Sequence, residues 1–242
     1  MAVGVFMRFR LLLFLCSGLF ALAPSAKAVD AFDYHCADVA LLQAKEIQKD
    51  LKINDAQRKK MNDAADTHRT RLSTYEQQQR AAKVKDTEAQ QRTKLKGYYD
   101  ELKKSVLTQL SATQLKRLRE LTLQRAGLTA ILDKVVAQKL GMSDAQLDKY
   151  RKVFESGAEK AAALERQTLE PILNKYKAMK PKTDAEKKSL QEKFQKEVAE
   201  AGKKAEPKMR ALKNSTQKQL EAALTAAQRA KFKSLQGTPF KG

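Results

Sequence analysis

The chain offers few side chains that could perform catalysis. It has two histidines, His35 and His68, and no Gly-x-Ser-x-Gly elbow to present a serine nucleophile. It also lacks the glycine-rich loop that holds nucleotide phosphates. Carboxylates are numerous, but on helices this rich in charge they are expected to lie on solvated faces. The sequence therefore predicts that the protein is not an enzyme and needs no cofactor.

One short segment concentrates groups that could bind a metal ion. The possible ligands, all within six residues, are Asp33, His35, Cys36 and Asp38. A closed zinc site needs four ligands, typically including a second Cys or His pair, and the sequence holds no such pair nearby. We therefore expect no metal site, with Asp33, His35 and Cys36 as weak candidates, and interpret residues 29–38 as a polar N-terminal tail.

The N-terminus has the pattern of a secretory signal peptide. Arg8 and Arg10 precede an apolar stretch at 11–23, and Ala26-Lys27-Ala28 supplies the small-x-small pattern of a cleavage site. A helix that spans a membrane needs about 20 apolar residues, more than this stretch contains. We expect cleavage after Ala28 and a periplasmic location for the processed chain.

The processed chain is expected to be strongly basic. The segment before the cleavage site holds three of the 48 Lys and Arg residues and none of the 28 Asp and Glu residues, which leaves a net charge of +17. Such a charge attracts acidic partners. Export argues against nucleic acid as the partner. The remaining candidate partners are unfolded acidic polypeptides, anionic lipid headgroups and surface polysaccharide. Cys36 remains as one thiol, so the alternatives are an intermolecular disulfide in a homodimer and a solitary buried thiol.

Apolar residues recur with helical spacing along most of the chain. One stripe covers 128–140, and the longest runs from 190 to 220 in steps of three or four residues. No strand-like alternation competes with this spacing, so the predicted fold class is all-α. Pro171 and Pro207 lie inside helical patterns and are expected to kink or break those helices.

Four helix starts share one pattern: an apolar residue, a capping residue, two further residues and a glutamine. The capping side chain accepts a hydrogen bond from the backbone N–H of the glutamine, whose own side chain accepts one from the N-cap N–H. Each cap contributes about 1 kcal/mol. The four pairs are Asn54 with Gln57, Ser111 with Gln114, Ser143 with Gln146, and Thr225 with Gln228.

These motifs indicate an internal duplication. Placing Ile53 on Met142 aligns apolar residues at 42, 47 and 51 with those at 131, 136 and 140. Two units result, 39–124 and 128–236, followed by a tail at 237–242. Their motifs lie 57 residues apart (53 to 110) and 82 apart (142 to 224), so each arm of the second hairpin should be about three turns longer. The predicted architecture is two tandem, unequal four-helix hairpin units in an elongated pseudo-dimer that the prolines could curve.

Basic residues gather near the second motif and again in the segment 203–218. Most are expected on solvated faces, but some could face a groove beside aromatic side chains and hold acidic, apolar chain segments there. The candidate client-binding residues are Tyr98, Tyr99, Arg117, Arg119, Tyr150 and Phe154.

Leu224-Thr225-Ala226-Ala227-Gln228 reads L-T-x-x-Q, and the other three motifs are variants with Ser or Asn at the second position. With the signal peptide and the helical pattern, the chain resembles the Spy/CpxP family of periplasmic proteins. The resemblance implies ATP-independent chaperoning of unfolded envelope proteins, inhibition of a partner sensor protein, or metal sensing. We rank a chaperone or envelope-stress binding protein first. The alternatives are a helical adaptor that docks on an envelope component and a divalent-metal-binding stress protein.

Overall fold

The computed structural model describes residues 30–181 and 183–241, and all regular elements within them are helices. The all-α prediction is confirmed for this part of the chain. The α-helices are α1 (Ala31–Cys36), α2 (Lys45–Asp50), α3 (Asp55–Ala81), α4 (Glu88–Leu107), α5 (Ala112–Ala126), α6 (Lys134–Leu140), α7 (Asp144–Lys177), α8 (Asp184–Ala222) and α9 (Ala226–Gln236). Two 3₁₀ helices, Val39–Gln43 and Gly127–Leu132, precede α2 and α6.

The predicted signal peptide at 1–28 lies outside the described residues. Along 30–181 and 183–241, no helix combines the length and the apolar character needed to cross a membrane.

Two pairs of long helices pack lengthwise, α3 on α4 and α7 on α8. The outgoing arm grows from 27 residues in α3 to 34 in α7, whereas the returning arm grows from 20 in α4 to 39 in α8. The expectation of equal lengthening was therefore wrong. The reason is local, because capping boxes at Thr87 and Thr183 set where each returning arm begins, and Thr183 lies much farther from the motif that follows.

The two prolines do not break the helices that contain them. Pro171 lies inside α7 and Pro207 inside α8, and both helices continue on either side. A proline removes one backbone hydrogen bond and crowds the preceding turn. Here the two arms pack along each other, with Ile172 buried beside Pro171, and this packing offsets the lost bond.

Two apolar cores lie at the bases of the hairpins, and α5 contributes to both. Leu115, Leu118 and Leu121 enter the first core, while Leu123 enters the second. Leu118 is fully buried. Because one helix supplies side chains to both cores, the bases of the two hairpins are packed together rather than linked by a flexible connection.

The predicted N-terminal tail is in fact a folded helix. Asp30 caps α1, which places Phe32 in the second core, and Ala37 just beyond the helix lies in the first. The segment was predicted to be a tail because most of its residues are polar, and the burial of Phe32 and Ala37 was not evident from the sequence. The predicted C-terminal tail is also in contact with the fold, since Phe240 packs against the first core and the Thr238 carbonyl accepts a hydrogen bond of 2.6 Å from Arg117.

The residues that follow α2 and α6 align with each other in sequence and share one backbone conformation. Gly141 has φ of 80° and Lys52 has φ of 52°, both in the left-handed region. Glycine adopts this region without strain, whereas a residue with a Cβ does so at a cost of roughly 1–2 kcal/mol. The first unit therefore keeps the geometry of the helix end that glycine provides in the second.

Gly157 allows α7 and α8 to approach closely. A Cβ at this position would lie 2.5 Å from Cγ2 of Thr216 on α8. We expect Gly157→Ala to lower the free energy of unfolding by about 1–3 kcal/mol, because overpacking outweighs the better helix propensity of alanine. Urea unfolding followed by circular dichroism measures the change.

The matched control is Gly202→Ala in α8, where a new Cβ meets nothing within 4 Å. This variant should gain up to about 1 kcal/mol from helix propensity. Stabilisation of the same size by both substitutions would contradict the close contact.

Candidate functional site

The first pair of capping motifs meets at the base of the first hairpin. Gln57 and Gln114 hydrogen bond to each other through their side-chain amides, with Nε2 of Gln57 2.8 Å from Oε1 of Gln114. Each Nε2 also donates to a backbone carbonyl, that of Gln109 at 2.7 Å and that of Leu51 at 3.0 Å. Asn54 and Ser111 cap the two helices as N-caps of complete capping boxes.

The second pair repeats this arrangement. Nε2 of Gln146 lies 2.8 Å from Oε1 of Gln228 and donates to the Ala223 carbonyl at 3.1 Å. Thr225 and Gln228 form a complete capping box. Ser143 accepts from the Gln146 backbone N–H at 3.2 Å, but the predicted return bond from the Ser143 N–H to the Gln146 side chain is not formed. Oε1 of Gln146 accepts from Nε2 of Gln228 instead. In both units the glutamines tie the start of the outgoing arm to the final helix and the end of the returning arm.

The sequence predicted the caps but not these cross-links. A signal was present, since all four motifs use glutamine where glutamate also completes a capping box. A carboxylate only accepts hydrogen bonds, whereas an amide accepts one at the N-cap and donates another to a partner. The four motifs therefore stabilise the base of each hairpin. We expect the binding surface to lie elsewhere on the protein.

An apolar groove of about 820 Å³ opens beside the second core, between α7, α8 and α9. Residues 126–129, where the second 3₁₀ helix begins, form its end. The side chains that line its walls include Phe154, Ala158, Ala161, Met209, Leu212 and Phe232. A volume of this size with mostly apolar walls is typical of sites that bind apolar ligands or chain segments.

Small residues on α7 create the groove. Gly157, Ala158 and Ala161 stand where the aligned positions of the first unit carry His68, Arg69 and Leu72. The hollow beside His68 measures only about 130 Å³. The groove is therefore present beside the α7–α8 hairpin, whereas the α3–α4 hairpin has only the small hollow at the aligned position.

The rim of the groove is positively charged. Lys213, Arg229 and Lys233 lie along it with one acidic residue, Glu221. The Arg229 guanidinium donates to the Glu221 carbonyl at 2.9 Å and to the Leu224 carbonyl, which fixes its position. Apolar walls below basic side chains suit a segment that is both apolar and acidic.

Two of the predicted client-binding residues are buried, and for them the prediction was wrong. Tyr150 is fully buried in the second core, and its hydroxyl donates to the Leu128 carbonyl at 2.9 Å. Burial raises the pKa of Tyr150. Arg119 is 5 % exposed and pairs with Asp33. Neither side chain can contact a bound segment in this fold, because each is enclosed by neighbours that it stabilises.

The other four candidates do not form one surface. Arg117 is engaged by Asp50 at 2.7 Å, and Tyr98 packs edge-on against Tyr75 with ring centroids 6.1 Å apart. Tyr99 is exposed on the first hairpin. Phe154 alone of the six lines the groove. Met209 and Leu212 belong to the apolar stripe at 190–220, and the sequence did not identify them as binding residues because a groove wall and a packing seam share the same periodicity.

Two of the three metal candidates, Asp33 and His35, are engaged by different partners. Asp33 lies 2.9 Å from Nε of Arg119, and Nε2 of His35 lies 2.9 Å from Asp133. Burial, aided by Asp133, raises the pKa of Cys36 to about 11, which keeps the thiol protonated at neutral pH. Across 30–181 and 183–241, no three His, Cys, Asp or Glu residues are grouped as metal ligands.

Comparisons of the chain with models of protein families, with curated proteins and with solved structures return no match.

Proposed function

We propose that the protein is a periplasmic, ATP-independent chaperone that holds unfolded or partner polypeptide in the groove between α7, α8 and α9. The observation that carries the proposal is the apolar groove of about 820 Å³ with three basic side chains along its rim. Export, which the N-terminal pattern predicts, would separate the protein from cytoplasmic nucleotide, so the proposed binding is reversible without an energy source. The resemblance of the four glutamine motifs to those of the Spy/CpxP family supports the same role.

Two forces of different range act in the proposed mechanism. The net positive charge attracts acidic, unfolded chains over a distance and speeds encounter. Contact then buries apolar client side chains against the groove walls, at about 25 cal/mol per Å² removed from water. An open groove buries only part of the client, so release follows when the client folds and withdraws its apolar residues.

Placing a carboxylate in the groove should weaken chaperone activity. Met209 lines the groove, and Met209→Glu removes an apolar contact while opposing acidic clients. We expect about tenfold more protein to be needed for half-maximal suppression of aggregation, since burial of one such side chain contributes about 1.5–3 kcal/mol. The assay measures light scattering of a reduced, aggregating client in low salt.

The matched control is Leu173→Glu, which makes the same change at an exposed apolar residue of α7 outside the groove. It should suppress aggregation as the unmodified protein does. Equal loss of activity in both variants would show that the groove is not the site. Suppression that is insensitive to added salt would remove the electrostatic part of the mechanism.

A further inference from the structure

The two long hairpins end in turns of the same chemistry. In the first turn, residues 82–87, Val84 is 87 % exposed and lies between Lys83 and Lys85. In the second turn, Met179 is 41 % exposed and is followed directly by Lys180. Each turn therefore presents an apolar side chain to solvent beside lysine, although neither position is needed to close a core.

The one acidic residue of the first turn faces inward. Asp86 accepts hydrogen bonds of 2.8 Å from Lys94 and from the Tyr75 hydroxyl. These two bonds hold the pKa of the Asp86 carboxyl below its usual range, so the group is ionised and its charge is compensated within the fold. The turn therefore exposes the side chains of Lys83, Val84 and Lys85 to solvent.

The second turn offers a shallow hollow of about 460 Å³. Met179, Pro181 and Leu190 supply its apolar part, and Lys180 and Lys193 supply positive charge. Glu186 is the acidic residue of the lining, and its carboxylate accepts a hydrogen bond from the Thr183 N–H at the start of α8. The hollow thus places apolar and cationic groups side by side at the far end of α7 and α8.

Aromatic pairs support both turns. Tyr75 packs edge-on against Tyr98, and Tyr176 packs edge-on against Phe194 with ring centroids 5.1 Å apart. The Lys175 ammonium lies 2.7 Å from the Glu197 carboxylate beside the second pair. These contacts fix the ends of the hairpins, so the exposed residues are held in position before any partner binds.

We propose that the two hairpin tips dock on an anionic phospholipid bilayer. The lysines would contact headgroup phosphates, while Val84 and Met179 enter the apolar boundary below them. Each tip presents an apolar side chain beside lysine, a combination that is complementary to the boundary between headgroup phosphates and acyl chains. This inference does not depend on the proposed chaperone activity.

Vesicle sedimentation with the purified protein tests the proposal. The protein should bind mixed vesicles that contain equal amounts of phosphatidylglycerol and phosphatidylcholine. It should not bind vesicles made only of phosphatidylcholine. Val84→Asp and Met179→Asp should each weaken binding about tenfold, and the double variant should abolish it, because each change removes an inserted side chain and repels phosphate. Circular dichroism should show unchanged melting, since both side chains are exposed.

The matched control is Val135→Asp, the same substitution at an apolar residue of α6 that is 36 % exposed and lies far from either turn. It should bind anionic vesicles as the unmodified protein does. Lys83→Gln combined with Lys180→Gln should also weaken binding and leave both turns intact. Three results would overturn the proposal: retained binding in the double tip variant, equal loss in Val135→Asp, or equal binding to vesicles of phosphatidylcholine alone.

Discussion

Replacing Arg119 with methionine is expected to lower the free energy of unfolding by about 3 kcal/mol or more. The Arg119 side chain is 6 % exposed and that of Asp33 is 14 % exposed, and Nε of the arginine lies 2.9 Å from the carboxylate. The guanidinium also donates to the Leu235 carbonyl and lies 5.7 Å from the centre of the Phe32 ring. Its loss leaves the Asp33 carboxylate mostly buried without its counter-charge. The free-energy cost of this unpaired charge is larger than the net stabilisation that the ion pair contributes.

The effect should be large because Arg119 joins three helices. It lies on α5 and contacts α1 through Asp33 and the end of α9 through Leu235. Guanidinium denaturation followed by circular dichroism gives the change in free energy. Arg69→Met is the matched control, since Arg69 pairs with Asp66 on the exposed surface of α3, where such pairs contribute at most about 1 kcal/mol.

A second variant separates the buried charge from simple loss of packing. Arg119→Met combined with Asp33→Leu removes both charges and should recover much of the lost stability, because apolar replacements of a buried pair are close to neutral. Loss in Arg119→Met no greater than in Arg69→Met would show that the junction does not depend on this pair.

The second large effect is expected at the paired glutamines. Gln228 is 6 % exposed and accepts at the N-cap while donating to Gln146. Gln228→Ala removes the return bond of a cap and leaves the Oε1 of Gln146 without its donor. We expect a loss of about 2–4 kcal/mol, since a lost cap costs about 1 kcal/mol and an unsatisfied buried polar group about 1–3 kcal/mol.

Gln90→Ala provides the comparison. Gln90 completes an exposed capping box at the start of α4, so its loss should cost about 1 kcal/mol or less. A double-mutant cycle with Gln146→Ala and Gln228→Ala should give a coupling energy of about 1 kcal/mol. Additive losses would mean that the two amides do not support each other.

The sequence predicts those features of the fold that depend on local chemistry. Helical spacing indicates the fold class, and the capping chemistry places Asn54, Ser111, Ser143 and Thr225 where the structure has N-caps. These interactions join residues three apart, so their partners can be identified along the chain.

Long-range contacts could not be predicted in the same way. The segment of α1 carries more polar than apolar residues, and only the folded structure shows that Phe32 fills a core built from the second unit. The groove was missed for a related reason. Gly157 and Ala161 are ordinary helix residues in sequence, and their small size matters only because α8 passes beside them.

The two proposals place different chemistry at opposite ends of one hairpin. The groove lies near the start of α7 and the end of α8, whereas the lysine-bearing turn joins their other ends. About 16 residues of α7 separate Ala161 from its C-terminus, which corresponds to about 24 Å of helix. A protein docked through its tips would therefore hold the groove away from the bilayer, open to polypeptide in solution.

Site-specific photo-crosslinking tests the role of the groove most directly. A photoreactive amino acid replaces Ala158, which lines the groove, or Ala163, an exposed residue of the same helix outside it. With a reduced, unfolded client in low salt, position 158 should form a crosslinked adduct that an acidic, apolar peptide competes away, and position 163 should form little. Equal adducts at both positions, or none at 158 while aggregation is still suppressed, would contradict binding in the groove.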